Sequence, residues 1–526
     1  MAAVLLLALV LRLHGIHNPM LDHPGWRQGD TASIARNFAT LQYNIFAPQT
    51  NYDGPPPNYV ELELQIVPFL AATAYKIAGV HEVIGRIISI AFSLGTVLVL
   101  GLFARRLFAS DVAGLIAAAI FAIMPGSMYY GRTFTPDTTM VFFLTLALYL
   151  FERFLVEDEI WTWRGAVAPA LALTFAILAK PVAIVALVPI VAMAVARVRA
   201  GRSFNALMLA AAVVVPCAIY YGYDHIVSAH AEWHWASGIT SKHVVPALAH
   251  AFTSFSALHA KFTLFHQMLD LLANTMIGPA IAGIAVAGMF FLPAATRSRT
   301  LIWSWLAGGL LYVFAVVTVE RVDYYMYLLL PLAALIVAGC GARLYDAVAE
   351  SSLKVPVKVA AVGAAVLIFA ALVLQSRAIA RPYYAYSKAV YRNAIALNRS
   401  LDPGALIVMG HYDPSVLYYI GRYGWEEDPY LWTPFDEQSA IRKGARYFID
   451  IEHNRFARNV ELCAWMQRFP LIHTGAKWPV YLTDTSLVKP DAEKQWRSFR
   501  DAEAKGNARA WLDAHHECAP KLGQRQ

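Results

Sequence analysis

Apolar runs follow one another through residues 1–375, and they constrain this chain more than any other feature. After a first run at 2–16 they recur at about 66–80, 87–104, 112–125, 139–151, 165–179, 182–196, 206–223, 276–293, 300–319, 324–342 and 357–375. Such runs approach the roughly 20 apolar residues that a helix needs to cross a bilayer. Lipid offers the backbone no hydrogen-bond partner, so helices are what they must form. Composition agrees: 58% of the 526 residues are hydrophobic and 15% charged. The chain reads as a polytopic α-helical membrane protein.

Basic residues sort the runs. The first run is short and ends near Arg12, but it has no basic stretch before it and no small-residue cleavage site after it. It therefore reads as a first span rather than a signal peptide, with room for a few residues missing at its start. If 66–80 is a non-spanning juxtamembrane or re-entrant piece, Arg105, Arg106, Arg153, Arg164, Arg197, Arg199, Arg202, Arg297, Arg299, Arg343, Lys354 and Lys358 all fall on the cytoplasmic side. That leaves about eleven spans, with the N-terminus inside and the C-terminus outside. A net charge of +7 and a pI near 9.0 follow from this topology and from membrane lipids, and do not argue for nucleic acid. The four Cys have no CxxC spacing, which argues against a zinc or redox motif.

The topology gathers polar and aromatic connections on the outer face. They are the loop 17–65, the turn from Tyr129 to Asp137, the Lys180-Pro181 break, the loop 223–275 and the stretch from Glu320 to Tyr325. Span centres are nearly free of charge, whereas a transporter or flippase would place ionisable groups near the midplane. From Arg377 the composition turns to that of a soluble α/β domain, with strands expected at 405–409, 445–451 and around 480–482, a short helix at 414–423, and a charged, helical or loose end at 489–526. The expected domains are thus 1–376, membrane, with the outer loop 17–65, and 377–526, extracytoplasmic. Cys463 and Cys518 share the exported part, where a disulfide is permitted.

Within the first outer loop, His23-Pro-Gly-Trp-Arg-Gln-Gly-Asp30-Thr-Ala-Ser-Ile-Ala-Arg-Asn37 concentrates a Trp, two Arg and a carboxylate. After Gly29, Ile34, Phe38 and Leu41 recur at helical spacing, the apolar stripe of a short interfacial helix. Asp30 or Thr31 stands at its expected start, where Asp30 is either a cap or a functional carboxylate.

Three segments carry a resemblance: Trp26-Arg-Gln-Gly-Asp30-Thr-Ala-Ser-Ile-Ala-Arg-Asn, Arg132-Thr-Phe-Thr-Pro-Asp137 and Tyr324-Tyr-Met-Tyr-Leu-Leu-Leu-Pro331. Over roughly residues 1–375, and more weakly in the tail, the chain resembles the C-superfamily (GT-C) membrane glycosyltransferases. It is similar to the bacterial relatives of protein O-mannosyltransferases and of the lipid A aminoarabinose transferase. The resemblance implies a polyprenyl-phosphate sugar donor, an inverting reaction, and an essential carboxylate at Asp30. The chain departs from the pattern in carrying Gly29-Asp30 where many relatives have an acidic pair, and Asp323 where many have His before Tyr324-Tyr325.

Chemistry points the same way. Transfer from a lipid phosphate needs a carboxylate to take a hydroxyl proton and cations to stabilise the departing phosphate. Asp30 is the expected base. Arg27, Arg132, Lys180 and Arg321 are candidate phosphate cations, Lys180 foremost, although arginines at span ends also snorkel. Asp137, Glu61, Tyr324 and Tyr325 are candidate substrate contacts, with Asp137 also fit for a helix start. In a helix, Glu61 and Glu63 would point to nearly opposite faces. Asp53, Glu61 and Asp137 are scattered candidates for a divalent metal, the only cofactor contemplated. The His residues of the loop 223–275 are too irregularly spaced for zinc. The expected activity is a glycosyltransferase of the cytoplasmic membrane, working at its outer face on a lipid, glycan or protein hydroxyl. The alternatives are a lipid-linked glycan ligase or polymerase, and a transporter or flippase.

Overall fold

The computed structural model describes residues 1–157, 161–203, 205–292, 296–488 and 490–515. Its contacts divide the chain into two units: Met1–Asn18, Gln42–Pro48 and Val60–Ala385 in the first, Pro19–Leu41, Gln49–Tyr59 and Tyr386–Gln526 in the second. The boundary therefore falls after Ala385 rather than at 376, and the loop 17–65 does not stay with the membrane helices as one piece. Two of its stretches pack on the C-terminal part, for reasons that lie in glycines 29, 54 and 424.

The first unit is helical. Among the described residues seven helices are long and apolar enough to cross a membrane, including Glu82–Phe108, Asp137–Val156, Ala206–Ser228 and Arg299–Glu320. The pair Phe255–Ile277 and Pro279–Phe290 would make an eighth, bent by 111° at Gly278, whose φ of 92° only glycine adopts without strain. Four shorter apolar helices, Ala2–Leu13, Ile66–Ala78, Asp111–Ile123 and Gly165–Ala179, match further runs of the sequence. Helix starts follow local chemistry: Ser110, Asn205 and Ser254 each accept a backbone N–H of the first turn. Arg12, the charge at the end of the first run, is fully buried. It donates to Ser93 Oγ and Ser127 Oγ, both at 2.7 Å, and to the carbonyls of Ala8 and Ala122. A buried guanidinium is tolerated only when its donors are met in this way.

Two short strands in this unit pair in parallel, β1 (Val60–Glu61) with β2 (Trp233–His234). Glu61 is therefore on extended backbone rather than in a helix. The expectation that Glu61 and Glu63 diverge fails with it.

The second unit is built on a five-stranded sheet of β3 (Leu406–Met409), β4 (Gly424–Glu426), β5 (Ala445–Ile449), β6 (Leu471–Ile472) and β7 (Val480–Leu482), in the order β4-β3-β5-β7-β6. β3 runs parallel to β4 and β5, while β7 is antiparallel to β5 and β6. Val408, Trp425, Phe448, Phe456, Tyr481 and Phe499 form its core. Helices Pro490–Ala504 and Ala508–His515 continue from the sheet. Cys463 is buried in the core and disulfide-bonded; Cys518, its expected partner, lies outside the described residues.

Candidate active site

In the second unit, Asp30 lies inside a helix rather than at its start. The helix runs Gly25–Thr40, its N-cap is Pro24, and no side chain caps it. The cap reading of Asp30 is thereby excluded. The expected single apolar stripe is also absent, because most of the helix from Arg27 to Phe38 is buried. One face, at Gly25 and Gly29, seats on the helix Pro414–Ile420: a Cβ at Gly29 would lie 2.4 Å from Ser415 Cα. Further along, Arg36 donates to the Tyr418 carbonyl and stacks on its ring. Asn37 donates to the Gln49 carbonyl and to Asn51 Oδ1, and accepts from Tyr423 O–H.

The stretch 49–59 completes the surroundings of Asp30. Gly54 N–H donates to the Gly424 carbonyl at 2.9 Å, and Gly424 N–H donates to the Asn51 carbonyl at 3.0 Å. Asp53 is left-handed, with φ 71°. Asp30, Asp53 and Arg27 all lie close enough to the buried Tyr52 hydroxyl for their charges to act on it. So does Glu426 of β4, whose carboxyl is driven well above the usual range, chiefly by burial and then by the charges of Asp30, Asp53, Asp413 and Glu427. Burial and Asp53 push Glu427 up to about 7. Glu426 and Glu427 were not legible as site residues, since nothing in a soluble-looking tail marks them.

In the first unit, Lys180 ends the helix Trp163–Ala179 and Pro181 opens a 3-10 turn, the break expected there. The buried Lys180 Nζ lies 2.6 Å from Asp137 Oδ1, at the first residue of Asp137–Phe151. It also sits 4.7 and 4.1 Å from the ring centres of Tyr324 and Tyr325. Asp137 Oδ2 accepts no hydrogen bond among the described residues. Asp323 is a local anchor. It accepts from Tyr130 O–H at 2.7 Å, Tyr383 O–H at 2.6 Å and Tyr324 N–H at 2.8 Å.

The other candidates divide. Arg132 is fully buried, donates to the Gly15 carbonyl and stacks on Tyr129 and Tyr384. Arg321 is exposed, at φ 54°, and its charge acts on Lys261, a buried lysine over the Phe314 ring that the sequence reading missed. Glu61 accepts from Ser237 N–H and Oγ–H and is paired with Asp224; burial, then that pairing, raises it to about 7. Glu61, Glu63 and Asp224 all act on the Tyr220 and Tyr223 hydroxyls, so the three share one neighbourhood. Among the described residues no group of three His, Cys, Asp or Glu is arranged to hold a metal.

The fold these elements build is one that proteins of known structure share. ArnT from Cupriavidus metallidurans, solved bound to undecaprenyl phosphate, matches at a TM-score of 0.59 and 15% identity, over 93% of this chain and 99% of that one. AglB, the oligosaccharyltransferase from Archaeoglobus fulgidus, solved with an inhibitory peptide and a dolichol-phosphate, matches at 0.55 and 13% identity, over 93% and 74%. More narrowly, residues 65–221 match the sequence profile of the family described as dolichyl-phosphate-mannose-protein mannosyltransferase. No curated protein matches the chain in sequence.

Proposed function

We propose that this protein is an inverting glycosyltransferase of the cytoplasmic membrane that moves a monosaccharide from a polyprenyl-phosphate donor to a hydroxyl of a lipid, glycan or protein acceptor. In this reading about eleven helices span, and the loop carrying Asp30 and the C-terminal unit lie outside the cytoplasm. The observation that carries it is the burial of Asp30 within a helix that it does not cap, in a fold shared with proteins solved with polyprenyl phosphates. An apolar groove of about 280 Å³ supports the lipid donor. Leu272, Ile277, Leu306 and Gly309 line it together with Leu329, which lies on the same 3-10 segment, Asp323–Leu329, as Tyr324 and Tyr325. Lys180, oriented by Asp137, is the cation assigned to the phosphate.

In the transfer step Asp30 takes the proton of the acceptor hydroxyl as its oxygen attacks the anomeric carbon. The new carbon–oxygen bond forms on the face opposite the phosphate, the old one breaks, and the electron pair leaves with the polyprenyl phosphate. The test is transfer by Asp30→Asn protein from a panel of polyprenyl-phosphate sugars, with donor binding as control. Asn cannot accept the proton, so a loss on the order of a hundredfold or more is expected, with donor binding kept. Activity within a few-fold of wild type would overturn the reading.

A further inference from the structure

Glu426 has no part in the transfer step just described, yet its position asks for one. It ends β4, the edge strand of the sheet, whose outer side is taken by Gly54. Along β4 side chains alternate, and Trp425 goes into the core. Glu426 is 8% exposed, and its Oε2 is buried with no hydrogen-bond partner among the described residues.

The charges and hydroxyls that interact electrostatically with it come from four places. The helix Gly25–Thr40 brings Asp30, the stretch 49–59 brings Tyr52 and Asp53, and the approach to Pro414–Ile420 brings Tyr412 and Asp413. Its own strand end adds Glu427. The neighbouring strand β3 is apolar, and the charge of Arg27 also acts on Tyr52. A carboxylate left ionised and unpaired at such depth would be expensive. Two carboxyl groups sharing one site divide their protons unequally.

We propose that Asp30 and Glu426 work as a carboxyl pair in which Glu426 is the protonated member, a positioning residue that leaves the negative charge to Asp30 alone. This rests on Asp30 being the transfer base. The acceptor proton goes to Asp30, and the proton of Glu426 stays where it is. When Glu426 loses that proton at alkaline pH, two like charges face each other in a buried place. Asp30 is then displaced from the acceptor, and the approach of a phosphate is opposed. Burial together with the charge of Asp30 puts this loss well above the usual carboxylate range.

The test is the pH profile of kcat/KM for wild type, Glu426→Gln and Glu427→Gln, measured on the full-length protein with a polyprenyl-phosphate sugar that it uses. Wild type is expected to fall on the alkaline side. Glu426→Gln, which cannot ionise, is expected to lose that fall, while its rate at neutral pH drops by far less than in Asp30→Asn. Glu427→Gln should keep the fall. A Glu426→Gln profile that matches wild type, or an alkaline fall abolished by Glu427→Gln instead, would overturn the pair. If Glu426→Gln does not fold, Glu426→Asp serves: the retracted acid should move the alkaline fall, and an unmoved profile refutes the proposal. An active Asp30→Asn protein would refute the transfer base itself, so the two failures are distinguishable.

Discussion

Lys180 Nζ and Asp137 Oδ1 lie 2.6 Å apart, both side chains buried and 43 residues separated in sequence. Removing one partner strands the other as a buried charge, which typically costs about 3–5 kcal/mol, whereas removing both costs less. Lys180→Met and Asp137→Asn should each lower the thermal midpoint in detergent, and the double variant should recover part of the loss. Additive losses would show that the contact carries no coupling.

Gly29 is where the helix bearing Asp30 meets its support. A methyl group there would stand 2.4 Å from Ser415 Cα and 2.6 Å from Ser415 N, and backbone cannot step aside as a flexible side chain can. Gly29→Ala should therefore cost about 1–3 kcal/mol, the usual price of overpacking, and make the C-terminal unit more sensitive to limited proteolysis. Stability equal to wild type would show that the two helices separate freely.

What the sequence disclosed and what it hid divide along physical lines. Apolar runs and the Lys180-Pro181 break are local signals, and both are found in the structure where they were expected. Lys180's pairing with Asp137 is a tertiary fact that no spacing encodes. Asp30 was placed at a helix start because the apolar spacing of Ile34, Phe38 and Leu41 begins after Gly29 and Asp is a good cap; the helix instead starts at Gly25, and Gly25 and Gly29 lie inside it where it packs on Ser415. Glu61 and Glu63 were assigned helical geometry because two residues of strand, paired with Trp233 and His234, carry no alternation to read. β4 was missed for the same reason. With it went Glu426, whose significance depends on Asp30 arriving from the other end of the chain.

Glu437 gives the second unit a pH dependence separate from transfer. It lies in the helix Pro434–Arg442 and is fully buried; its Oε2 accepts from Trp432 Nε1–H at 2.7 Å. Burial, partly offset by that hydrogen bond, raises it from 4.5 to about 8. In the unfolded chain it ionises near 4.5, so between 4.5 and about 8 the native state holds a proton that the unfolded state has released. Native stability is then full below this window, falls as pH rises through it, and levels off above. Glu437→Gln keeps an acceptor for Trp432 but cannot ionise. Its unfolding midpoint should match wild type at the acid end and exceed it at the alkaline end, by a free energy of a few kcal/mol at most. Parallel pH series for the two proteins would place the responsible group elsewhere.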